Sequence, residues 1–326
     1  MACTDGCGSL GAYAKILTED SILTGDCPVA TFDVNSTRHE FLTESIQYTD
    51  PTMGGTGLNG TIDPIFAHLR AGTRMVYGRY TTEVGPHDIQ YWMPRILGKS
   101  GSSPFTTQET FDLVPFDMMI NRDLGTHIYR HCAINRAMFS ARASVSGSEQ
   151  TMQMTLDVIG YEEHAATWPA SPPALPTSDR LYWLLGDGAL TLDTSNPAAQ
   201  DEYYFDAFNL MFDNNLLPQT RNFLRITCLQ SRGRKIRLQV PIPYTVASNS
   251  KLYDTKFDGA GVLNFLGTKN LTGLTGADYV TTFTFPQLHS TRQTPRVQGP
   301  GDIPLILDLQ AYRTASEPIT VTVAVA

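Results

Sequence analysis

The chain has 326 residues, of which 41% are apolar and only 17% charged, and its net charge is −8. That length suits two domains of ordinary size, and the apolar share is enough for packed cores. There is no apolar run long enough to span a membrane. The first residues lack the basic-then-apolar order of a secretory signal, and an acidic balance argues against ordinary tight duplex binding, which rests on Lys and Arg at phosphates.

Residues 1–40 scatter Gly, Asp and Thr without a sustained period and read as an N-terminal arm. From residue 41 the pattern turns to β, and residues 41–48 place Leu42, Ile46 and Tyr48 on one side of a strand. Residues 50–60 follow, with Asp50, Pro51, Met53, Gly54, Gly55, Gly57, Leu58 and Gly60; four glycines in so short a stretch predict a long loop between strands. Residues 73–84 are expected to form the next strand. Pro86 opens a short helix, because proline suits the first helical position. Ile89, Trp92, Met93, Ile96 and Leu97 then share one apolar face, and Pro94 is expected to kink or shorten the helix. Further strands are expected over residues 111–120 and 126–143. The clearest strand follows them: Met152, Met154, Leu156 and Val158 alternate with Thr151, Gln153, Thr155 and Asp157.

Residues 168–179 hold Pro169, Pro172, Pro173 and Pro176, which predicts an extended linker. The expected organisation is therefore an arm (1–40), a first domain (41–167), the linker (168–179) and a second domain (180–326). The second half repeats the element order. Residues 203–218 read as a strand running into a turn. Ile236, Leu238, Val240 and Ile242 alternate with Lys235, Arg237 and Gln239, and a short helix is expected over 248–259. Phe283 and Phe285 mark one side of a strand, Ile303, Leu305, Leu307 and Leu309 another, and residues 317–326 a last one.

The motifs for chemistry fail one by one. Gly98-Lys99-Ser100 resembles the end of a phosphate-binding loop, but it lacks the earlier glycine and follows a helix instead of a strand. His127, His131 and Cys132 lie close together. On a strand, however, Cys132 points away from the two histidines, and no second cluster completes a metal site. Cys3, Cys7, Cys27, Cys132 and Cys228 are odd in number, which does not suggest an internal disulfide framework. No catalytic residue, cofactor or metal is expected.

Charge is unevenly placed. Residues 1–165 hold 11 Lys and Arg against 19 Asp and Glu, whereas residues 166–326 hold 13 of each. The basic run Arg232, Arg234, Lys235 and Arg237 is read as a charged contact to an acidic neighbouring subunit, since complementary charge steers association. The solvated face of a strand is the plainer alternative.

The progression FLTESIQY, glycine-rich loop, TRMVYGRYTTEV, PHDIQYWMPRILGK, followed by FNLMFDNNLLP, GRKIRLQVPIPYT and DIPLILDLQAY, resembles the tail tube proteins of long-tailed, siphovirus-type bacteriophages over about residues 38–320. The resemblance implies a mainly β fold: two tandem tail-tube-like β-sandwich domains, each flanked by a short α-helix, with inner sheets joined between subunits into a β-barrel ring. It implies a non-enzymatic virion protein, assembled in the host bacterial cytoplasm, whose rings stack into a conduit for double-stranded DNA that passes without specific binding. The chain itself, the tail terminator, the tape measure and baseplate proteins are the implied partners, with no membrane. The long loop at residues 50–60 is the implied inter-ring contact; the matching turn near residues 214–222 is shorter. Two domains per chain favour three chains per ring over six. The competing readings are another virion part (terminator, baseplate or decoration protein) and a β-sandwich carbohydrate-active enzyme using Trp92, Trp168 and Trp183 as sugar platforms.

Overall fold

The computed structural model describes residues 15–20, 32, 36–53, 70–99, 101–107, 113–122, 125–143, 151–173, 183–193, 200–203, 205–219, 228–243, 257–267, 279–290, 304–314 and 317–324. In chain order these form β1 (Lys15–Asp20), β2 (Thr37–His39), β3 (Thr43–Glu44), β4 (Gln47–Thr49), β5 (Thr52–Met53), β6 (Arg70–Ala71), β7 (Met75–Glu83), α1 (Pro86–Leu97), β8 (Phe105–Thr106), β9 (Phe116–Asn121), β10 (Thr126–Arg142), β11 (Gln153–Gly160) and β12 (Glu162–Ala166). The second half continues with β13 (Gly188–Asp193), β14 (Gln200–Tyr203), β15 (Ala207–Asp213), β16 (Leu216–Gln219), β17 (Cys228–Ser231), β18 (Lys235–Pro243), β19 (Asp258–Gly267), β20 (Tyr279–Ser290), β21 (Pro304–Ala311) and β22 (Thr320–Ala324).

Among the described residues all pairings are antiparallel, and they repeat. In the first half the strands run β2·β1·β9·β10, with β12 and β11 on the other edge of β10, followed by β7 and β4. In the second half they run β14·β13·β19·β20, with β22 and β21 on the other edge of β20, followed by β18 and β15. Even an irregularity recurs. The register of β9 against β10 shifts between Tyr129 and Cys132, and that of β19 against β20 shifts between Gly259 and Gly261. The long strand β10 joins the two sets, its residues from Arg136 to Arg142 lying against Asp213 to Ala207 of β15. An isolated bridge between Thr151 and Leu184, with Trp183 N–H donating to Val84 O at 2.9 Å, closes the circuit into a barrel.

The alternation read from the sequence is the alternation of burial. Met152, Met154, Leu156 and Val158 are buried, as are Ile236, Leu238, Val240 and Ile242, and the main apolar core of the described residues runs from Ile16 to Val323 through both halves. Helix α1 sits inside it with Ile89, Trp92, Met93, Ile96 and Leu97 fully buried. Asp88 accepts the Gly85 N–H at 3.0 Å, which satisfies one of the free donors at the helix start.

Some expectations change. The N-terminal arm contains two strands, β1 and β2, which pair with each other and with β9. They were invisible because three to six residues are too few to show a period. Leu42 is 48% exposed while Ile46 is 2% exposed, so they do not share a face. The chain breaks between β3 and β4 where it crosses Gly78, and a Cβ on Gly78 would lie 2.4 Å from Ile46 Cα. Pro94 does not shorten α1, which continues to Leu97 and ends at Gly98 in the left-handed region (φ 79°). Gln90, whose carbonyl loses its helical donor to the proline, lies on the exposed side of the helix, open to solvent. Strand β19 went unread because its glycines resemble a loop. Gly261 is small for a reason: a Cβ there would meet Leu288 at 2.5 Å. Most of the expected helix at 248–259 lies outside the described residues, and Asp258 begins β19. Of the proline-rich linker, residues 168–173 lack regular structure, and the remainder lies outside the described residues.

Candidate assembly surfaces

The corner where β15 passes into β16 is built around Asn214, which is fully buried. Its side-chain amide donates to Ile96 O (3.0 Å) at the end of α1 and to Ile134 O (2.9 Å) on β10. Its Oδ1 accepts from Arg234 Nε at 2.7 Å, and its carbonyl accepts from Ser231 Oγ at 2.7 Å. Asn215 takes the left-handed conformation (φ 47°), which asparagine tolerates better than most residues. The DNN segment is thus the hinge pin between helix, sheet and the β16–β17 ribbon.

Three of the four basic residues singled out in the sequence come together beside this corner. Arg232, Arg234 and Lys235 line an open cleft of about 680 Å³, with Arg313, Tyr312 and Glu317 opposite. Glu317 accepts from the Thr107 hydroxyl and lies 4.0 Å from Arg313. Burial lowers the Arg234 pKa to about 10, against the pull of Glu317. Four cations around one carboxylate leave the cleft with an excess of positive charge. Arg237 is not in the cleft; it lies on the outer face of the sheet, opposite Met211 and Gln310.

That outer face carries a row of alternating charge. Arg79 on β7, Asp157 on β11, Arg136 on β10, Asp213 on β15 and Lys235 on β18 are consecutive partners across five strands. Arg79 meets Asp157 at 2.9 Å and Arg136 meets Asp213 at 3.5 Å. The row crosses the joint between the halves.

The first-half loop departs from the sheet through a second corner. There Arg74 Nε donates to Asp50 Oδ1 at 2.9 Å, and β5 pairs with β6 as a two-stranded ribbon. Asp50 and Pro51 are described, and Met53 is placed in β5. Gly54, Gly55, Gly57, Leu58 and Gly60 lie outside the described residues. At the far side of the same sheet, Arg122 donates two hydrogen bonds to the Glu44 carboxylate (2.7 and 2.9 Å), one to Tyr129 Oη (2.7 Å) and one to Ile46 O (2.5 Å). The Glu44 hydrogen bonds hold Arg122 firmly charged, and burial pushes the Tyr129 hydroxyl to about 12. No sequence motif marked this node, because its residues are scattered along the chain.

The residues weighed for chemistry have structural duties. Trp92 and Trp183 are fully buried, so neither presents a ring to a sugar, and Trp168 is partly buried against Phe32, Met119 and Ile128. Gly98 caps the end of α1, and Lys99 donates to Thr106 at 2.9 Å, so the segment lies at a helix C-terminus, the wrong pole for phosphate. His127 lies 3.3 Å from Glu163. His131 stacks edge-on against Tyr161, and Cys132 is buried with its thiol pKa pushed up by desolvation. Among the described residues no group of three or more His, Cys, Asp or Glu is placed to hold a metal, and no helix is long and apolar enough to cross a membrane.

A large antiparallel sheet with one helix packed in its core and two polar corners defines the class: a mainly β protein. The chain matches the family model of the phage tail tube protein over residues 27–322 and belongs to that family. It is a structural component of a bacteriophage tail. Comparison with curated proteins found no match.

Proposed function

We propose that this chain polymerises as stacked rings into the hollow conduit through which a long-tailed, siphovirus-type phage delivers its DNA. The observation that carries the reading is the repeated strand order, β4·β7·β11·β10 and β15·β18·β21·β20, joined in one sheet through β10 and β15. A chain that holds two such units in tandem supplies six from three copies, so a threefold ring of pseudo-sixfold form follows. If ~24 strands spaced ~4.8 Å and tilted ~40° close the ring, its backbone diameter is roughly 50 Å, ample for a duplex about 20 Å wide.

In this reading the ribbons beyond the two corners, carrying residues 50–60 and the shorter turn after Asn214, reach the neighbouring ring. The cleft at Arg232, Arg234 and Lys235, with Arg237 nearby, takes an acidic surface of an adjacent subunit, whose first half carries the whole negative excess. Double-stranded DNA passes without specific binding. Tail terminator, tape measure and baseplate proteins are the other partners, and assembly occurs in the host cytoplasm. Electron microscopy of the purified protein tests the proposal: tubes with a regular axial repeat and threefold rings are expected. True sixfold rings would refute the trimer, and a protein that forms no tube at high concentration would refute the conduit.

A further inference from the structure

The two corners correspond residue by residue. Thr49 lies opposite Met75 as Asp213 lies opposite Lys235, and Thr52 opposite Ala71 as Leu216 opposite Ser231. Gly72 N–H donates to Pro51 O at 2.6 Å as Arg232 N–H donates to Asn215 O at 3.1 Å. Arg74 meets Asp50 as Arg234 meets Asn214. Ile46, Tyr48 and Asp50 therefore stand where Leu210, Phe212 and Asn214 stand in the second half.

In an antiparallel sheet alternate residues direct their backbone bonds to opposite neighbours. Asn214 N–H donates to Asn135 O at 2.8 Å, so its set on β15 bonds to β10. On the first-half strand, Ser45 N–H donates to Arg79 O at 2.8 Å, so the intervening set, Ile46, Tyr48 and Asp50, points away from β7. Among the described residues no strand covers that outer edge of β4. Instead the Ile46 N–H donates to Glu44 Oε2 at 3.1 Å and the Ile46 carbonyl accepts from Arg122 at 2.5 Å. The Glu44–Arg122 pair thus occupies the backbone groups of one edge residue, a known way to keep an edge from pairing indiscriminately. Tyr48, two residues on, lies beyond it.

We infer that the outer edge of β4 at Tyr48 is the surface through which a second copy of this chain extends the sheet, with the Glu44–Arg122 pair as its guard. The contact reproduces between copies the joint that β10 and β15 make within one. It rests on the tail-tube reading above. The guard confines strand addition to the stretch beginning at Tyr48 and slows it in the free protein.

Hydrogen exchange on the wild type, free and polymerised, tests the surface directly: the Tyr48 amide is expected to exchange quickly in the free protein and at least ~10-fold more slowly in rings. Tyr48→Pro removes the outward N–H and leaves the β7 side intact, so it is expected to keep the free protein's circular dichroism and denaturation midpoint while losing rings. Arg122→Gln is expected to shorten the lag before polymerisation. Rings whose Tyr48 amide exchanges as in the free protein, a folded Tyr48→Pro that forms normal rings, or an unchanged or longer lag in Arg122→Gln each overturn the inference and leave the tail-tube reading standing. A wild type that forms no rings under any condition defeats that reading first. If Tyr48→Pro does not fold, the wild-type exchange measurement decides alone.

Discussion

Arg234 donates from Nε to Oδ1 of Asn214 at 2.7 Å, the contact that Arg74 makes to Asp50 at 2.9 Å in the other half. The shared geometry has different chemistry. Arg74 and Asp50 form a half-exposed ion pair, worth little in stability. Arg234 is desolvated against a neutral amide that also holds Ile96 and Ile134. The second corner is consequently the more densely bonded one.

Asn214→Leu is expected to lower the unfolding free energy by about 2–4 kcal/mol, because it leaves two buried carbonyls without donors. Asp50→Ala at the matching corner is expected to cost under about 1 kcal/mol. Urea denaturation of the two variants checks the contrast; equal losses would show that the denser bonding at Asn214 adds no stability.

Gly78→Ala is expected to disrupt the first half, since the added Cβ would lie 2.4 Å from backbone at Ile46 and 2.5 Å from Ser45 O. Gly186→Ala meets nothing within 4 Å and is expected to be neutral or slightly stabilising. Thermal melts of both variants, run beside the wild type, give the comparison.

His131 sits in the left-handed region (φ 49°), and burial lowers its pKa from the usual 6.5, with Asp117 opposing and Arg130 assisting. The unfolded chain therefore binds a proton near pH 6.5 that the folded chain resists, and stability falls as pH drops below that value. His131→Asn keeps a residue that tolerates the backbone and removes the titration. Its stability is expected to decline less than the wild type's between pH 7 and pH 5; parallel curves would rule out His131 as the cause.

Arg232→Glu with Lys235→Glu reverses two cations at the cleft mouth while leaving Asn214 and Arg234 in place. The concentration needed for tube growth is expected to rise about tenfold or more, equivalent to ~1.4 kcal/mol, with the wild type also weakening as salt rises. Normal growth of the double variant would remove the cleft from the assembly contacts.

The strands that could be read in advance are those with a long, uninterrupted period, such as β11 and β18, and the helix with five apolar residues on one face. Those missed either were short, like β1 and β2, or spent glycines on close packing, like β19 at Gly261. The cleft was half legible. Arg232, Arg234 and Lys235 are adjacent in sequence, but Arg313 and Glu317 arrive from a strand end some eighty residues later. The Glu44–Arg122 node left no trace at all, since 78 positions separate its partners.

What the sequence determined by itself was period and composition: alternation made strands, and proline and glycine placed the helix ends and loops. Only the tertiary structure decided register. Which residue of β10 faces which of β15, and hence the charge row, the twin corners and the uncovered edge of β4, depends on backbone hydrogen bonds between strands distant in sequence. A period of two is equally satisfied by any even shift along a partner, so local pattern cannot choose among them; the packing of Asn214, Trp92 and their neighbours in one shared core does.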